Sequence, residues 1–322
     1  MQGEYKMTLE TGDISNTSFS ILIEWENVLL SGESRAYKML SRVIAQANLL
    51  KNFCEIIVSA NTDQPELKER PKELNENIEW KLIVNTGLHY YQLKDEAARH
   101  AKSEVIIFVD SDVLPDKDWL KNLTDSFRNP RIQASCGKAY IDHHNLYTKA
   151  FALFWFFPTK NYHLSRPRRT TNHFFANNVA FKKNLFLQYY FGKNDQVSRG
   201  GCLALGESLR KDGIDIYLCE NAFVAHPPPQ FGSHFILRAL AQGRDRLLRN
   251  KPCQRHIGYS IYRLFENSVK SFAKITLRHR LVDLPLIFIP GAIIIGQIYY
   301  LIYFLGEVFT IFGFKPVLKI SI

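Results

Sequence analysis

The amino-acid sequence predicts an α/β fold in which a mixed, mostly parallel sheet is flanked by helices, as in Rossmann-like proteins. Short apolar segments alternate with amphipathic helical segments through the first third of the chain. Near-continuous apolar runs are typical of strands that helices cover on both faces. The chain has 322 residues, of which 46% are hydrophobic and 22% are charged. It is therefore long enough to bury a sizeable core and too apolar for general disorder.

The first part of the sheet is predicted from four apolar segments and two amphipathic ones. Apolar residues at spacings of three and four indicate a helix with one buried face, as Ala36, Met39 and Leu40 show. The predicted strands are residues 19–25, 55–59, 80–84 and 104–110, and the predicted helices are residues 35–51 and 93–102.

Beyond residue 112 the pattern is looser. Three prolines at residues 227–229 break the chain, and two segments that mix Arg or Lys with Phe, Tyr, Leu and Ile follow, at residues 235–249 and 257–280. Such a mixture is typical of helices that lie on a membrane surface. The other predicted elements are helices at residues 119–127 and 203–211 and strands at residues 132–141, 174–181 and 214–218.

The C-terminal segment predicts a membrane anchor. Between residues 284 and 314 the only Asp, Glu, Lys, Arg or His is Glu307, and about 20 apolar residues are enough to cross the hydrocarbon layer. Basic residues just before this segment place that side in the cytoplasm by the positive-inside rule, and residues 1–13 do not resemble a signal peptide. We therefore expect a membrane-associated protein whose main domain is cytoplasmic, with a tail that crosses the membrane or re-enters it.

These observations divide the chain into four predicted parts. Residues 1–17 form an N-terminal extension, residues 18–230 the α/β domain, residues 231–282 the basic amphipathic helices, and residues 283–322 the hydrophobic tail.

The net charge of +10 favours anionic partners. Because the basic residues of the C-terminal part flank the apolar tail and no nucleic-acid-binding motif is present, we expect a membrane and phosphate groups as partners, and not nucleic acid. The five cysteines are scattered without a CxxC pair, which predicts reduced thiols and not a zinc cluster.

Two acidic residues, Asp110 and Asp112, directly follow the apolar strand at residues 104–110. Residues two apart in an extended segment point to the same side, and ligands bind at the carboxyl ends of the strands in open α/β sheets. Two carboxylates there suit Mn²⁺ or Mg²⁺, which keeps open positions for phosphate oxygens. The structural alternative is that Asp112 caps the following turn.

The run IIFVDSDVLPDKDWL that contains these acids resembles the family-two glycosyltransferases of the GT-A fold. The resemblance extends over residues 18–229. It implies an enzyme that transfers a sugar from a nucleotide-diphosphate donor of the UDP or GDP type to a hydroxyl acceptor, with inversion. Because the chain is predicted to be anchored, we expect the acceptor to be lipid-linked or a growing polysaccharide.

The resemblance also assigns roles to individual residues. Glu24, Asn27 and Asn61 stand where the family binds the base and ribose, and Lys94, Asp110 and Ser111 fall near the donor. Candidate metal ligands are Asp110, Asp112 and the late histidine His226, while Asn177 and Arg244 are candidates for acceptor or phosphate binding.

The catalytic base is the weakest part of the resemblance. The family carries Glu-Asp at the position where this chain has residues 198–202, which include no carboxylate. Glu207, one helical turn later, and Asp195, on the preceding loop, are the substitutes that could deprotonate an acceptor hydroxyl. The absence of the pair leaves a second hypothesis, a relative that binds nucleotide sugar without catalysing transfer.

Overall fold

The computed structural model of the protein describes residues 17–160, 170–171, 173–193, 200–318 and 320. A nine-stranded sheet forms its centre. The strands are β1 (Phe19–Glu24), β2 (Phe53–Ala60), β3 (Glu79–Val84), β4 (Val105–Asp110), β5 (Leu114–Pro115), β6 (Ala134–Ile141), β7 (Thr170–Thr171), β8 (Asn178–Lys182) and β9 (Ile216–His226).

Twelve α-helices are present in the described part of the chain. They are α1 (Val28–Ser31), α2 (Glu33–Ala47), α3 (Pro65–Lys68), α4 (Tyr90–His100), α5 (Trp119–Asp125), α6 (Leu146–Phe154), α7 (Lys183–Tyr189), α8 (Gly201–Lys211), α9 (Ser233–Arg249), α10 (Ile257–Arg278), α11 (Ile289–Ile311) and α12 (Lys315–Leu318). Short 3₁₀ turns accompany them at Ser126–Arg128, Phe191–Lys193, Pro252–Gln254, His279–Val282 and Leu286–Phe288.

The strand order is β3-β2-β1-β4-β8-β6-β9-β5, and β7 also pairs with β9. The first four strands of this order are parallel, β8 runs antiparallel between β4 and β6, and β6 is parallel to β9. The predicted mixed sheet flanked by helices is confirmed. It is less parallel than predicted, since only four of the eight described pairings are parallel.

Alternation along β4 divides its side chains between two apolar layers. Ile107 and Val109 join the layer that contains the buried residues of α2, α5 and α6, whereas Ile106 and Phe108 join the layer under α4, α7 and α8. Side chains of a strand alternate between the two faces. Asp110 therefore points to the α4 side, and the next residues along the chain leave the sheet at its carboxyl edge.

Two regions differ from the predicted elements. The segment around residue 151, for which no element is predicted from the sequence, lies in α6, where Asn145 accepts a hydrogen bond from the backbone N–H of Thr148 and so caps the helix. The last strand, β9, continues eight residues beyond the predicted end, to His226. This extension carries the histidine to the same edge of the sheet as Asp110.

The helices after the sheet pack closely on one another and on the sheet domain. A Cβ atom on Gly243 of α9 would lie 2.0 Å from the carbonyl oxygen of Tyr303 in α11, so the two backbones are nearly in contact. Tyr299 of α11 accepts a hydrogen bond from the Trp155 indole at 3.1 Å. The helix α9, which the sequence predicts to lie on a membrane surface, is thus packed largely against other helices. The tail helix α11 contributes Ala292 and Tyr299 to the hydrophobic core.

Candidate active site

Three polar residues end neighbouring or nearby strands at one edge of the sheet. Glu24 ends β1, Asp110 ends β4 and His226 ends β9, and all three are buried. Glu24 lies directly opposite Asp110 in the parallel β1–β4 pairing. Asp112 follows two residues after Asp110 and is also buried. The edge that the sequence predicts as the ligand site therefore concentrates acidic groups.

Both oxygens of Asp110 are occupied by protein donors. The Lys94 ammonium forms a buried ion pair with Oδ1 at 2.5 Å. Oδ2 accepts hydrogen bonds from the Tyr90 hydroxyl at 2.7 Å and from the Asn27 amide at 3.4 Å. These contacts compensate for the burial of the Asp110 carboxylate, since burial of a charge is costly unless the charge is paired. Asp110 therefore has little capacity left to bind a metal directly.

Glu24 lies beside this ion pair. Its Oε1 accepts a hydrogen bond from the backbone N–H of Asn27, while the buried Oε2 has no partner. Burial, and next the nearby negative charge of Asp110, raise the pKa of Glu24 well above its usual range. The unpartnered Oε2 accepts a hydrogen bond, and it donates one when the carboxyl is protonated, so Glu24 is equipped to recognise a polar group that enters this edge.

Asp112 and His226 face each other with unused lone pairs. Oδ2 of Asp112 lies 3.7 Å from Nε2 of His226, and the buried Oδ1 of Asp112 has no hydrogen-bond partner. Nδ1 of His226 lies 2.6 Å from the carbonyl oxygen of Pro227. A hydrogen bond from Nδ1–H to that carbonyl fixes the tautomer and leaves the Nε2 lone pair aimed at Asp112. The Phe157 ring, 4.7 Å away, packs on the imidazole.

This donor set fits a divalent cation. An imidazole whose other ring nitrogen donates to a backbone carbonyl is the usual arrangement of a histidine ligand, and a carboxylate oxygen completes a pair that suits Mn²⁺. Burial raises the pKa of Asp112, so its carboxylate lacks the compensation that a cation would provide. The described residues contain no group of three His, Cys, Asp or Glu side chains at metal-binding distance. Two protein ligands would leave further positions to phosphate oxygens and water.

Two other predicted donor-binding residues have their hydrogen-bonding groups occupied. The Ser111 hydroxyl donates to the carbonyl of Trp25 at 3.3 Å. The Asn61 side chain donates to the carbonyl of Leu88 at 2.6 Å and accepts from the N–H of the same residue at 2.8 Å. Asn61 thus ties the end of β2 to the loop before α4, which leaves its amide little freedom to read a base.

The comparisons with known proteins agree with this geometry. The family model described as glycosyl transferase family 2 matches residues 30–189, which include α2, β4, Asp110 and Asp112. Residues 30–189 form a glycosyl transferase family 2 domain. No curated protein matches the chain by sequence.

Solved structures give the fold of this glycosyltransferase. The mannosyltransferase PcManGT from Pyrobaculum calidifontis, in complex with GDP-Man and Mn²⁺, aligns with a TM-score of 0.54 and 14% identity over 93% of this chain and 88% of that chain. GalNAc-T7 with UDP, GalNAc and Mn²⁺ aligns with a TM-score of 0.52 and 12% identity. The second alignment covers 74% of this chain and only 52% of GalNAc-T7. The fold is therefore GT-A, as predicted.

The remaining predicted site residues of the glycosyltransferase are scattered. Asn177 lies at the carboxyl edge beside Asp110, because Asn178 pairs with Val109, and its buried Oδ1 has no partner. Arg244 lies elsewhere and is buried: it pairs with Asp245 and donates to carbonyls of the C-terminal segment, including that of Val317. These bonds occupy the Arg244 guanidinium, and they give no support to the prediction that Arg244 binds acceptor or phosphate.

Of the two candidate bases, Glu207 is the one that lies among the described residues. Glu207 lies on the exposed face of α8, between the buried Leu205 and Leu209 that face the sheet. Because residues two apart on a helix point in nearly opposite directions, Glu207 faces solvent and the prediction that it is the base is not supported. Asp195 lies outside the described residues.

Sequence reasoning missed two residues that shape the glycosyltransferase site. Tyr90 donates a hydrogen bond to Asp110 and lies one helical turn before Lys94. Residues four apart share a helix face, so the prediction that Lys94 faces the site implies the same for Tyr90. Arg35, in the first turn of α2, donates to the backbone carbonyl of Asp112. No local signal identifies Arg35, because the groups it contacts lie 77 or more positions away.

Proposed function

We propose that this enzyme is a metal-dependent, inverting glycosyltransferase that uses a UDP or GDP sugar and modifies a lipid-linked acceptor at the cytoplasmic face of a membrane. The convergence of Asp112 and His226, with lone pairs that no protein donor satisfies, carries the proposal. Both solved relatives contain Mn²⁺ with a nucleotide or nucleotide sugar, which supports the same ligand class here.

In this proposal Asp112 and His226 hold Mn²⁺ or Mg²⁺, and Asp110 organises the site around it. The cation, when bound, supplies Lewis-acid stabilisation of the departing nucleotide diphosphate. Lys94 neutralises Asp110, and Asp110 in turn accepts the hydrogen bonds of Tyr90 and Asn27. Oε2 of Glu24 is left as the group that recognises the donor nucleotide.

The class of acceptor is inferred from a basic side chain and an apolar helix near the site. Arg238 of α9 lies over the Trp155 ring at 5.9 Å, close enough to Asp112 to influence its charge, and its Nε has no partner. A guanidinium there suits a phosphate on the acceptor. Behind it, Leu286–Ile311 is long and apolar enough to cross a membrane. A polyprenyl phosphate meets both conditions, whereas a neutral polysaccharide meets neither.

A transfer assay tests the proposal. Purified enzyme is given UDP and GDP sugars, Mn²⁺ and a short polyprenyl phosphate, and the glycosylated lipid is measured for the wild type, Asp112→Ala and the surface control Asp125→Ala. Loss of several kcal/mol of transition-state stabilisation predicts a rate at least about 100-fold lower for Asp112→Ala, with an unchanged rate for Asp125→Ala. Equal rates in all three proteins would contradict the metal role. Donor binding without product from any acceptor would favour the non-catalytic relative.

A further inference from the structure

Arg35 contacts three separate segments that carry or flank the two proposed metal ligands. Its Nε donates to the carbonyl of Asp112, its Nη2 donates to the carbonyl of Ala225 at 3.0 Å, and its Nη1 pairs with Asp142 at 3.1 Å. Ala225 directly precedes His226. One guanidinium therefore binds the backbone of one ligand residue and the backbone just before the other.

The third contact, with Asp142, links Arg35 to His226 by a second route. The backbone N–H of Asp142, whose carboxylate pairs with Arg35, donates to the carbonyl of His226 at 3.0 Å. The histidine is thus held from both sides, through the carbonyl of Ala225 and through its own carbonyl. Asp112 is linked to the same guanidinium through its own backbone carbonyl.

The residue before Asp112 is held by its own hydrogen bonds, since the Ser111 N–H donates to the carbonyl of Glu24 at 3.1 Å. The strand that follows Asp112, β5, has two residues, and it pairs with β9 through Leu114 opposite Ala225. Between these two anchors, Arg35 donates to the carbonyl of Asp112 itself. A planar guanidinium with donors in a fixed fork is suited to fix several acceptors at once, and a lysine is not.

We propose that Arg35 is a positioning residue that sets the separation of Asp112 and His226 and thereby the affinity of the site for its cation. The inference rests on the proposed metal site. It assigns a role to a residue of α2 that touches neither cation nor substrate. The neighbouring Arg42 provides a control, because it lies on the same helix and donates to the carbonyl of Pro115 in β5, at 3.0 Å, without contacting either ligand residue.

The test is a titration of Mn²⁺ into the full-length enzyme without donor, with free Mn²⁺ measured by electron paramagnetic resonance. Loss of an outer contact that orients a ligand weakens metal binding by about 10–100-fold. We expect that loss for Arg35→Met, no change for Arg42→Met, and incomplete recovery for Arg35→Lys, which keeps the charge without the fork. The melting temperature of each apo variant is measured beside the titration.

Three results would overturn the inference. Arg35→Met could bind Mn²⁺ like the wild type, Arg42→Met could lose as much affinity as Arg35→Met, or Arg35→Lys could restore full affinity, which would make charge and not geometry the cause. Wild-type enzyme that binds no Mn²⁺ would instead overturn the proposed metal site, and the inference with it. The wild-type curve therefore separates the two failures.

Discussion

At the residue scale, the buried pair of Lys94 and Asp110 is the group whose loss we expect to cost the most stability. Removal of one partner leaves an uncompensated charge inside the protein, which costs about 3–5 kcal/mol. Lys94→Met should therefore lower the free energy of unfolding by that order. The double variant Lys94→Met, Asp110→Asn should recover much of the loss, because neither charge of this pair is then left without its partner. Urea denaturation measures both, and equal stability of the single and double variants would contradict the pairing.

A second buried carboxylate, Asp95, links stability to pH. It accepts hydrogen bonds from the N–H groups of Phe191 and Gly192 at 2.9 and 2.8 Å, and burial raises its pKa from 3.8 to about 6. Since the folded protein holds this proton more tightly, the contribution of Asp95 to stability is complete below about pH 4 and is lost as the pH rises through about 6.

The comparison of wild type with Asp95→Asn isolates this effect. At about 1.4 kcal/mol per pKa unit, the stability of the wild type relative to the variant should fall by about 3 kcal/mol between pH 4 and pH 7. Thermal unfolding across that range measures the difference. A difference that does not vary with pH would show that Asp95 titrates as an ordinary carboxyl group.

At the element scale, the contact between α9 and α11 depends on glycine at its closest point. A Cβ at Gly243 would lie 2.0 Å from a backbone oxygen of α11, whereas a Cβ at Gly291, also in α11, would meet only the flexible end of Leu146 at 3.2 Å. Alanine is otherwise the better helix former by about 1 kcal/mol.

Alanine at these two positions should act in opposite directions. Gly243→Ala should lower stability by about 1–3 kcal/mol because the helices must separate, and Gly291→Ala should leave it unchanged or raise it. The melting temperatures of the two variants test this directly. Equal shifts would mean that the helices are not packed at Gly243.

The elements themselves were largely predictable, because the apolar strands and the amphipathic helix α2 follow from periodicity alone. The position of β8 between β4 and β6 was not, since strand order depends on contacts distant in sequence. In the site, too, local features were predictable and those that depend on distant contacts were not. Asp110 and Asp112 are recognisable from their place after a strand, but the different roles of the two acids depend on Lys94 and His226, which only the fold brings to them.

At the scale of the whole molecule, α10 presents an apolar stripe outward. Tyr262, Phe265, Val269 and Phe272 lie at spacings of three and four and are each more than half exposed, while Ser260 and Ser271 face inward. An exposed stripe beside the apolar α11 predicts that this face contacts lipid.

Fluorescence measures that contact. In protein whose exposed Cys54 and Cys253 are replaced by serine, an environment-sensitive dye on Phe265→Cys should brighten and shift to the blue when vesicles are added. The same dye on Leu29→Cys, a position 84% exposed in the sheet domain, should not respond. Identical responses at both positions would contradict a membrane-facing α10.

The claim on which the account depends is that Asp112 and His226 together bind a cation that nucleotide diphosphate shares. Calorimetric titration of UDP and of GDP into the enzyme, with Mn²⁺ or with a chelator, tests it most directly. We predict that at least one nucleotide binds with Mn²⁺, that the chelator abolishes binding, and that Asp112→Ala and His226→Ala each do the same with Mn²⁺ present. Nucleotide binding that is equally tight with the chelator, or unaffected by both substitutions, would contradict the claim.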